Sequence, residues 1–134
     1  MLADTIVADE LEQKVRILCW VNTYRKNIDK IKAIRETWGR RCNKIIFVGD
    51  RTEPDIHLIG FDTKEGRNYL ASKIFKAFAY VYENHVDDYD WFMRVDDDVY
   101  IVMENLRQLL TSYDTNEPWY IGRPYNFITR QVRQ

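Results

Sequence analysis

Three consecutive aspartates, Asp96, Asp97 and Asp98, follow directly on the apolar residues 91–95. Adjacent carboxylates repel one another, so solvent or a cation must screen their charge in a folded chain. In extended backbone Asp96 and Asp98 point to one side and Asp97 points to the other, so the outer pair can present oxygen ligands together. Such ligands suit Mg²⁺ or Mn²⁺, and a cation held by one or two carboxylates keeps positions open for a diphosphate. The run therefore predicts a divalent-cation site.

The alternative for this aspartate run is a solvated acidic turn, which is what most short acidic runs form. Apolar residues stand on both sides of the run, at 91–92 and at 99–102. Burial of those flanking segments would fix the backbone and hold the carboxylates in place. The context therefore favours a fixed site over a solvated turn.

Short apolar segments alternate with segments of helical periodicity along the chain, after a charged lead-in at residues 1–14. Such alternation implies crossover connections and a mainly parallel sheet covered on both faces, which is an α/β, Rossmann-like fold. Ligands bind such sheets beyond the carboxyl ends of the strands, where the aspartate run lies. The predicted strands are residues 15–21, 44–48, 56–59, 91–95 and 119–121, and the predicted helices are 27–41, 67–84 and 104–113.

The apolar spacing also predicts which side of each helix faces the sheet. Asn27 is predicted to be the N-cap of the first helix. The residues predicted to point inward are Ile28, Ile31, Ile34 and Trp38 in the first helix, Leu70, Ile74, Ala77, Phe78, Val81 and Tyr82 in the second, and Leu106, Leu109 and Leu110 in the third.

Composition is that of one ordinary globular domain. The 134 residues are 46% hydrophobic and 31% charged, with a formal net charge of -1. A chain without a strong positive field has no general attraction for polyanions, so nucleic acid is not expected as a partner. No apolar run approaches the roughly 20 residues that cross a bilayer, and the N-terminus lacks the features of a signal peptide. We expect this chain to be soluble by itself.

Residues 91–100 resemble the DxD segment of the Fringe-like β1,3-glycosyltransferases, which have a GT-A fold. Residues 34–38 are similar to the wider β1,3-galactosyltransferase group. The resemblance covers residues 11–123 and implies the nucleotide-sugar-binding half of a GT-A domain, from residue 15 to residue 134. The segments that narrow the resemblance to core 1 β1,3-galactosyltransferases are residues 15–21, 41–44, 63–67, 105–107 and 120–123.

The resemblance implies a function. Core 1 β1,3-galactosyltransferases are type II Golgi membrane proteins with a lumenal catalytic domain. They transfer galactose from UDP-galactose to the N-acetylgalactosamine of O-linked glycans on glycoproteins, with Mn²⁺ as cofactor and with inversion at the anomeric carbon. This chain is expected to lack the membrane anchor, and the sequence leaves a homodimer open.

The resemblance also assigns roles to individual residues. Asp96 and Asp98 are expected to hold the metal, and Asp96 and Asp97 to contact the nucleotide sugar, Asp97 through the ribose. The remaining nucleotide-sugar-binding candidates are Thr23 for the base, and Arg35, Gly66, Arg67 and Lys73 for the phosphates. A glycine backbone and a guanidinium both favour phosphate, whereas the alternative for the three basic residues is a solvated or snorkelling side chain.

Two departures from the family pattern matter. Residues 22–25 replace a Gly-Pro-type turn after the first strand, which puts the base contacts in doubt. The resemblance places the catalytic base and a third metal ligand, a histidine, beyond Gln134, so this chain is expected to be C-terminally truncated. His57 and His85 are not at those positions, and we interpret both as surface histidines because neither has a second ligand at helical or hairpin spacing.

Cys19 and Cys42 are the two cysteines of the chain. The resemblance implies that they form a disulfide, which would agree with an oxidising secretory lumen. The alternative is a pair of reduced, buried cysteines that pack as small apolar residues.

Two other functions stay open. One is a different Fringe-like β1,3-glycosyltransferase, such as a Fringe-type N-acetylglucosaminyltransferase or a chondroitin synthase domain, with a similar DxD segment. The other is a non-catalytic fragment or chaperone-like relative. The intact run from Asp96 to Asp98 argues against the second, because such relatives tend to lose the metal motif.

Overall fold

The computed structural model describes residues 2–64 and 66–123, in which α-helices and β-strands alternate. Residues that sequence analysis treated as a charged lead-in form the first helix. The elements are α1 (Leu2–Lys14), β1 (Ile17–Asn22), α2 (Ile28–Glu36), β2 (Lys44–Gly49), β3 (Leu58–Gly60), α3 (Leu70–His85), β4 (Trp91–Asp96) and α4 (Met103–Leu110).

The four strands of the described chain form one parallel sheet in the order β3-β2-β1-β4. This arrangement confirms the predicted α/β, Rossmann-like architecture. All six residues of β1 are buried, because this strand has a neighbour on each side and helices on both faces. Its register with β4 places Asn22 directly beside Asp96, so the two strands end together at one edge of the sheet.

Two apolar layers lie on opposite faces of the sheet, and alternate residues of β1 contribute to each. Ile17, Cys19 and Val21 face the first layer, and Leu18 and Trp20 face the second. Both faces of β1 are apolar for this reason, as expected for a central parallel strand. The helical residues of the first layer are Ile31 and Ile34 from α2 with Met103 and Leu110 from α4, and those of the second are Ala77 and Val81 from α3.

The predicted helix at residues 27–41 is interrupted. Helix α2 ends at Glu36, and a 3-10 turn at Trp38–Arg41 follows Thr37. Gly39 permits the turn to approach the sheet closely, since a Cβ there would lie 2.7 Å from the Ile34 carbonyl oxygen and 2.8 Å from the Ile45 side chain. Trp38 is buried as predicted, whereas the prediction for Ile28 is wrong because half of this residue is exposed.

The inward faces of the other two helices also differ from the prediction. Phe78 and Tyr82 of α3 are 48% and 69% exposed, and the buried residues of this helix are Lys73, Ala77 and Val81. Leu109 of α4 is half exposed, whereas Leu110 is buried. The prediction is confirmed for Ala77, Val81 and Leu110, which are buried, and the half-exposed Phe78 still packs edge-on against Trp20 of β1, with ring centroids 5.3 Å apart. It is wrong for Tyr82 and Leu109, because each helix carries apolar residues on more than one side.

The predicted strand at residues 119–121 is absent from the described structure, in which these residues are irregular. The Trp119 ring packs edge-on against Tyr113, with ring centroids 4.9 Å apart, and its Nε1 donates to the Asp114 carbonyl oxygen. Tyr120 is almost fully exposed. Local packing of Trp119 beneath the preceding turn thus replaces pairing with the sheet.

Cys19 and Cys42 form a disulfide with their Cα atoms 6.2 Å apart, which confirms the predicted pair. The bond joins the middle of β1 to Cys42, which lies two residues before the start of β2. In the part of the chain that the structure describes, every helix is too short or too polar to cross a membrane.

Candidate nucleotide-sugar site

The aspartate run lies where β1 and β4 end side by side. β4 ends at Asp96, and Asp97 and Asp98 form the turn that follows. Asn22 ends β1, and Thr23 comes next, with its backbone N–H donating to the Val48 carbonyl oxygen of β2. The predicted site residues Thr23 and Asp97 are therefore brought together by the parallel register of neighbouring strands.

Asp97 points into the protein and accepts three hydrogen bonds. Its Oδ2 accepts from Thr23 Oγ1 and from Asn27 Nδ2, each at 2.6 Å, and its Oδ1 accepts from Lys30 Nζ at 2.9 Å. Only 11% of its side chain is exposed. Burial acts to raise the pKa of Asp97, but the hydrogen bonds from Thr23, Lys30 and Asn27 outweigh it and hold that pKa below its usual value.

Asn27 stands at the N-cap position of α2, but its side chain makes no capping hydrogen bond. The prediction that Asn27 caps this helix is therefore wrong with respect to the side chain. The amide instead donates across to Asp97. A carboxylate partner gives a charge-assisted hydrogen bond, which is stronger than a bond to a neutral acceptor.

Asp96 and Asp98 are exposed, unlike Asp97. Asp96 Oδ1 accepts from Asn22 Nδ2 at 3.3 Å and from Arg94 Nη2 at 2.9 Å. Asp98 accepts no hydrogen bond from any residue of the described chain. The outer two carboxylates of the run thus keep oxygen atoms that can reach a ligand.

Carboxylate oxygens suit a hard divalent cation, so Asp96 and Asp98 have the right donor chemistry for Mn²⁺ or Mg²⁺. Across residues 2–64 and 66–123, no three His, Cys, Asp or Glu side chains are grouped closely enough to hold a metal ion by themselves. A cation held by Asp96 and Asp98 would therefore take its other ligands from water, from a bound phosphate or from outside the described residues. The metal role of Asp96 and Asp98 stays a prediction.

A group of buried polar side chains lies beside the aspartate run, at the carboxyl ends of β1 and β2. Thr23 is fully buried, and Asn22 and Asp50 are nearly so. Within the described structure the buried atoms Asn22 Oδ1, Asp50 Oδ1 and Thr63 Oγ1 have no hydrogen-bond partner. Buried polar atoms are seldom left unpaired in native proteins, so these atoms indicate a place where a polar ligand or water completes the structure.

Lys73 adjoins the same edge of the sheet. This residue is 4% exposed, its Nζ donates to the Thr23 carbonyl oxygen at 3.1 Å, and the ammonium lies 4.4 Å from the centroid of the Tyr24 ring. The structure thus brings Lys73 to the end of β1, as a phosphate-binding role would require. Of the alternatives for Lys73, a solvated side chain is wrong because the residue is buried, and a phosphate contact by Lys73 stays a prediction.

Gly66 and Arg67 are exposed and lead into the 3-10 turn before α3. Gly66 has φ +118°, a conformation that L side chains rarely adopt, so glycine is required by the backbone at this position. A phosphate contact by either residue stays a prediction.

Arg35 is placed apart from the run. It lies eight residues after Asn27, which corresponds to about 12 Å along a helix. Its guanidinium donates to the Ile56 carbonyl oxygen and lies 4.9 Å from the centroid of the Phe47 ring. These contacts connect α2 to the segment before β3, and a phosphate contact by Arg35 stays a prediction.

Sequence reasoning missed four polar residues of this site, namely Asn22, Asn27, Lys30 and Asp50. Asn22 ends β1, and Asp50 follows β2 directly, so their positions at strand ends were a usable signal. Asn27 and Lys30 are three residues apart at the start of α2, where spacing puts them on one face of the helix. Their common partner is about 70 residues away in sequence, which no local pattern indicates.

The two histidines lie together in another part of the described structure. His57 is exposed and His85 is half-buried, with its ring in edge contact with Tyr80 and Tyr89, so the surface interpretation holds for His57 alone. Both line a cavity of about 400 Å³ with residues of β2 and β3. None of the three aspartates lines this cavity.

A model of the Fringe-like family matches residues 12–133. The chain belongs to the Fringe-like family. Its parallel sheet, with an acidic run at the end of β4, is consistent with the Rossmann-like half of a GT-A domain. The match covers nearly all of this Fringe-like chain, including every residue of the candidate site.

Several curated relatives are glycosyltransferases by name. This Fringe-like chain is 38% identical to glycoprotein-N-acetylgalactosamine 3-beta-galactosyltransferase 1 of Xenopus laevis over 130 residues, which are 96% of this chain and 36% of the relative. It is 28% identical to human beta-1,3-glucosyltransferase over 86% of its own length and 23% of the relative. It is 41% identical to human chondroitin sulfate synthase 3 over 51 residues, which are 38% of this chain and 6% of the relative. The chain thus spans about a third, or less, of the length of these relatives.

Proposed function

We propose that this protein transfers galactose from UDP-galactose to O-linked N-acetylgalactosamine on glycoproteins, with the aspartate run binding Mn²⁺ and the donor diphosphate. The observation that carries the proposal is the arrangement of the run, in which Asp96 and Asp98 are exposed together beside the ends of β1 and β4 while Asp97 is tied inward. Similarity to a galactosyltransferase over 96% of the chain supports the choice of sugar and acceptor.

The nucleoside part of the donor would lie against the polar group beside the run. Asn22 Oδ1 and Asp50 Oδ1 are buried acceptors without a partner in the described structure, and a uridine offers N–H and hydroxyl donors to such atoms. Lys73 lies nearby with its ammonium fixed by the Thr23 carbonyl oxygen, where it would add positive charge on the phosphate side. The site therefore has acceptors for the nucleoside and charge for the diphosphate.

The proposed reaction is a direct displacement in which the acceptor hydroxyl gives its proton to a general base and attacks the anomeric carbon, while the bond from that carbon to the diphosphate oxygen breaks and UDP leaves. Mn²⁺ would supply Lewis-acid stabilisation of the departing diphosphate. Asp96 and Asp98 would hold the cation, and the buried polar group would orient the nucleoside so that the sugar faces the acceptor. The described residues thus account for the leaving-group side of the reaction.

A second candidate is another β1,3-glycosyltransferase activity, which the similarity to human beta-1,3-glucosyltransferase and chondroitin sulfate synthase 3 favours. A competition assay with UDP-galactose, UDP-glucose, UDP-N-acetylglucosamine and UDP-glucuronate separates the candidates. Preference for UDP-galactose supports the first proposal, and preference for another donor replaces it.

We also propose that the protein acts in the lumen of the Golgi as a type II membrane protein. The Cys19–Cys42 disulfide supports this proposal, because disulfides form and persist in the oxidising secretory pathway. Immunolocalisation of the expressed protein tests it.

The metal role is tested with Asp98→Asn. An amide coordinates a hard cation weakly, so Mn²⁺-dependent affinity for UDP is expected to fall at least about tenfold, since even partners outside the first coordination shell change metal affinity by that much. Calorimetric titration with UDP and Mn²⁺ measures the change. Ile101→Val is the matched control: Ile101 packs against the core near the run, and its truncation costs about 0.5–1.5 kcal/mol of stability without removing a ligand.

Two results would contradict the metal role. One is UDP binding that does not depend on Mn²⁺, and the other is equal binding by Asp98→Asn and the unsubstituted protein. Transfer of radiolabelled galactose to an N-acetylgalactosamine acceptor tests the reaction itself.

A further inference from the structure

We propose that Asp97 is a positioning residue, which ties the end of β4 to α2 so that Asp96 and Asp98 are presented outward as a pair. This role rests on the proposed function, because it concerns the same aspartate run. It differs from the ribose contact that the family resemblance implies for Asp97. The residues that tie Asp97 inward are Thr23, Asn27 and Lys30, which we name the Asp97 clamp.

The carboxylate of Asp97 has little capacity left for a ligand. A carboxylate can accept about four hydrogen bonds, and the clamp supplies three at 2.6–2.9 Å. Two of these bonds share Oδ2, and the third, from Lys30, occupies Oδ1. The one remaining acceptor position is on Oδ1 beside the Lys30 ammonium, and with 11% of the side chain exposed it offers a ribose hydroxyl little access.

The clamp joins the end of β4, which Asp97 follows, to the segment after β1 and the start of α2, which are distant from it in sequence. Thr23 follows β1, Asn27 precedes α2, and Lys30 lies in the first turn of that helix. The carboxylate also lies close to the positive end of the α2 helix dipole, which stabilises a negative charge there. The turn after β4 is thereby held at a defined position relative to the start of α2.

Holding the Asp97 side chain inward affects the exposure of its two neighbours, Asp96 and Asp98. Asp97 lies in the turn after β4 and its side chain is largely covered, whereas Asp96 and Asp98 on either side of it are exposed. The clamp therefore fixes this turn in an arrangement that leaves the two neighbouring carboxylates at the surface. The Lys30 ammonium also offsets the central charge of the run, which reduces repulsion among the three carboxylates.

Positioning and direct contact make different predictions for UDP binding. A residue that orients metal ligands affects the gain in UDP affinity that Mn²⁺ provides. A residue that touches ribose or phosphate affects UDP affinity without metal as well. The decisive quantity is therefore the ratio of the UDP dissociation constants measured without and with Mn²⁺.

Lys30→Met in the full chain tests the clamp, because the Lys30 side chain is 48% exposed and its truncation leaves the core intact. We expect the Mn²⁺-dependent gain in UDP affinity to fall roughly tenfold, as for outer partners of metal ligands. UDP affinity without Mn²⁺ should change by no more than the loss of one positive charge from α2 produces, as measured with Lys32→Met. Lys30→Arg should restore most of the gain, since a guanidinium can also donate to Asp97.

Lys32→Met is the matched control, since Lys32 is a more exposed lysine of the same helix whose ion-pair partner is Glu36.

Asn27→Asp is the second variant that tests the clamp. Aspartate is as good an N-cap residue as asparagine, so α2 keeps a suitable cap residue while Asp97 loses a donor and gains a negative neighbour. In Asn27→Asp the gain in UDP affinity that Mn²⁺ provides should fall at least as far as in Lys30→Met.

The outcomes separate this role from the proposed function. If the wild type binds UDP with Mn²⁺, and Lys30→Met and Lys32→Met show the same Mn²⁺-dependent gain in UDP affinity, the clamp is overturned and the proposed function stands. A loss of metal-free UDP affinity in Lys30→Met that clearly exceeds the loss in Lys32→Met would overturn positioning in favour of direct contact. Absence of Mn²⁺-dependent UDP binding in the wild type would reject the proposed function, and the clamp with it.

Discussion

At the scale of single residues, a buried arginine of α4, Arg107, connects separate segments in the interior of the fold. Arg107 of α4 is 2% exposed, and its guanidinium donates to the carbonyl oxygens of Val15 and Arg41 and to Asn43 Oδ1 at 2.7–3.2 Å. Burial lowers the pKa of Arg107. A planar group with five donors can join three acceptors from separate segments, which an ammonium cannot do with the same geometry.

Arg107→Met is expected to lower the free energy of unfolding by about 2–3 kcal/mol, because buried acceptors that bonded a charged donor lose their partner. Urea unfolding followed by circular dichroism measures the change. Gln108→Met is the matched control, since Gln108 is the exposed neighbour on the same helix and should change stability by less than about 0.5 kcal/mol. Equal stability of the two variants would show that the Arg107 hydrogen bonds contribute nothing net.

At the scale of elements, strands were easier to predict than helix faces. β1, β2 and β4 are short apolar runs with polar ends, and their bounds lie within two residues of the predicted ones. Helix α3 carries apolar residues on two sides, and its buried side includes Lys73, which periodicity reads as polar. The aliphatic part of a lysine can pack on a sheet while its ammonium finds a carbonyl oxygen, so the burial of Lys73 depends on Thr23 and not on the helix sequence.

In the candidate site, too, the local sequence indicated position, whereas contacts between distant segments determined the environment of each residue. Position at the end of an apolar strand was enough to single out Asp96, Asp97 and Asp98. Their different environments were not predictable, because Asn27 and Lys30 are ordinary polar residues at the start of a helix until the β1–β4 register brings Asp97 to them. The exposure of the run does differ from residue to residue as predicted, but Asp97 and Asp98 lie in a turn and not in the extended backbone that the prediction assumed.

The starts of β1 and β4 are joined by an ion pair that supplies a pH test. The Arg16 side chain donates to both carboxylate oxygens of Asp90 at 2.9–3.1 Å, and its backbone N–H donates to Oδ2. The hydrogen bond from the Arg16 side chain is the main reason that the pKa of Asp90 is lowered. A carboxyl with a lowered folded-state pKa stabilises the fold above its unfolded pKa of about 3.9, and this contribution is lost as the pH falls through the folded value.

Asp90→Asn should therefore lower the free energy of unfolding at pH 7 by up to about 1 kcal/mol, a modest effect because Arg16 is half exposed and screened by solvent. The difference from the unsubstituted protein should shrink as the pH falls below the unfolded pKa of about 3.9 toward the lowered folded value, because the unfolded chain then binds a proton that the native ion pair resists. Thermal unfolding between pH 7 and pH 3 measures both. Asp87→Asn, at an exposed residue of the preceding turn, is the control, and a difference that grows in acid would contradict the assigned sign.

At the scale of the whole molecule, the disulfide closes a loop of the chain that contains α2 and all three residues of the Asp97 clamp. Cys19 lies in the fully buried central strand β1, and Cys42 precedes β2. The 23-residue separation between them contains Thr23, Asn27, Lys30 and the whole of α2. Covalent closure therefore limits how far α2 can move from the sheet edge that carries the aspartate run.

Reduction of this bond should lower the free energy of unfolding by about 3 kcal/mol, because a cross-link that closes a loop of this length removes conformational entropy from the unfolded chain. Urea unfolding with and without dithiothreitol measures the loss, and the double variant Cys19→Ala/Cys42→Ala should show no response to the reductant. Alkylation followed by intact-mass measurement of secreted, non-reduced protein should detect no free thiol at Cys19 or Cys42. Two alkylated cysteines in that material would contradict the bond, and a stability unaffected by dithiothreitol would show that the cross-link constrains the unfolded chain far less than its loop length predicts.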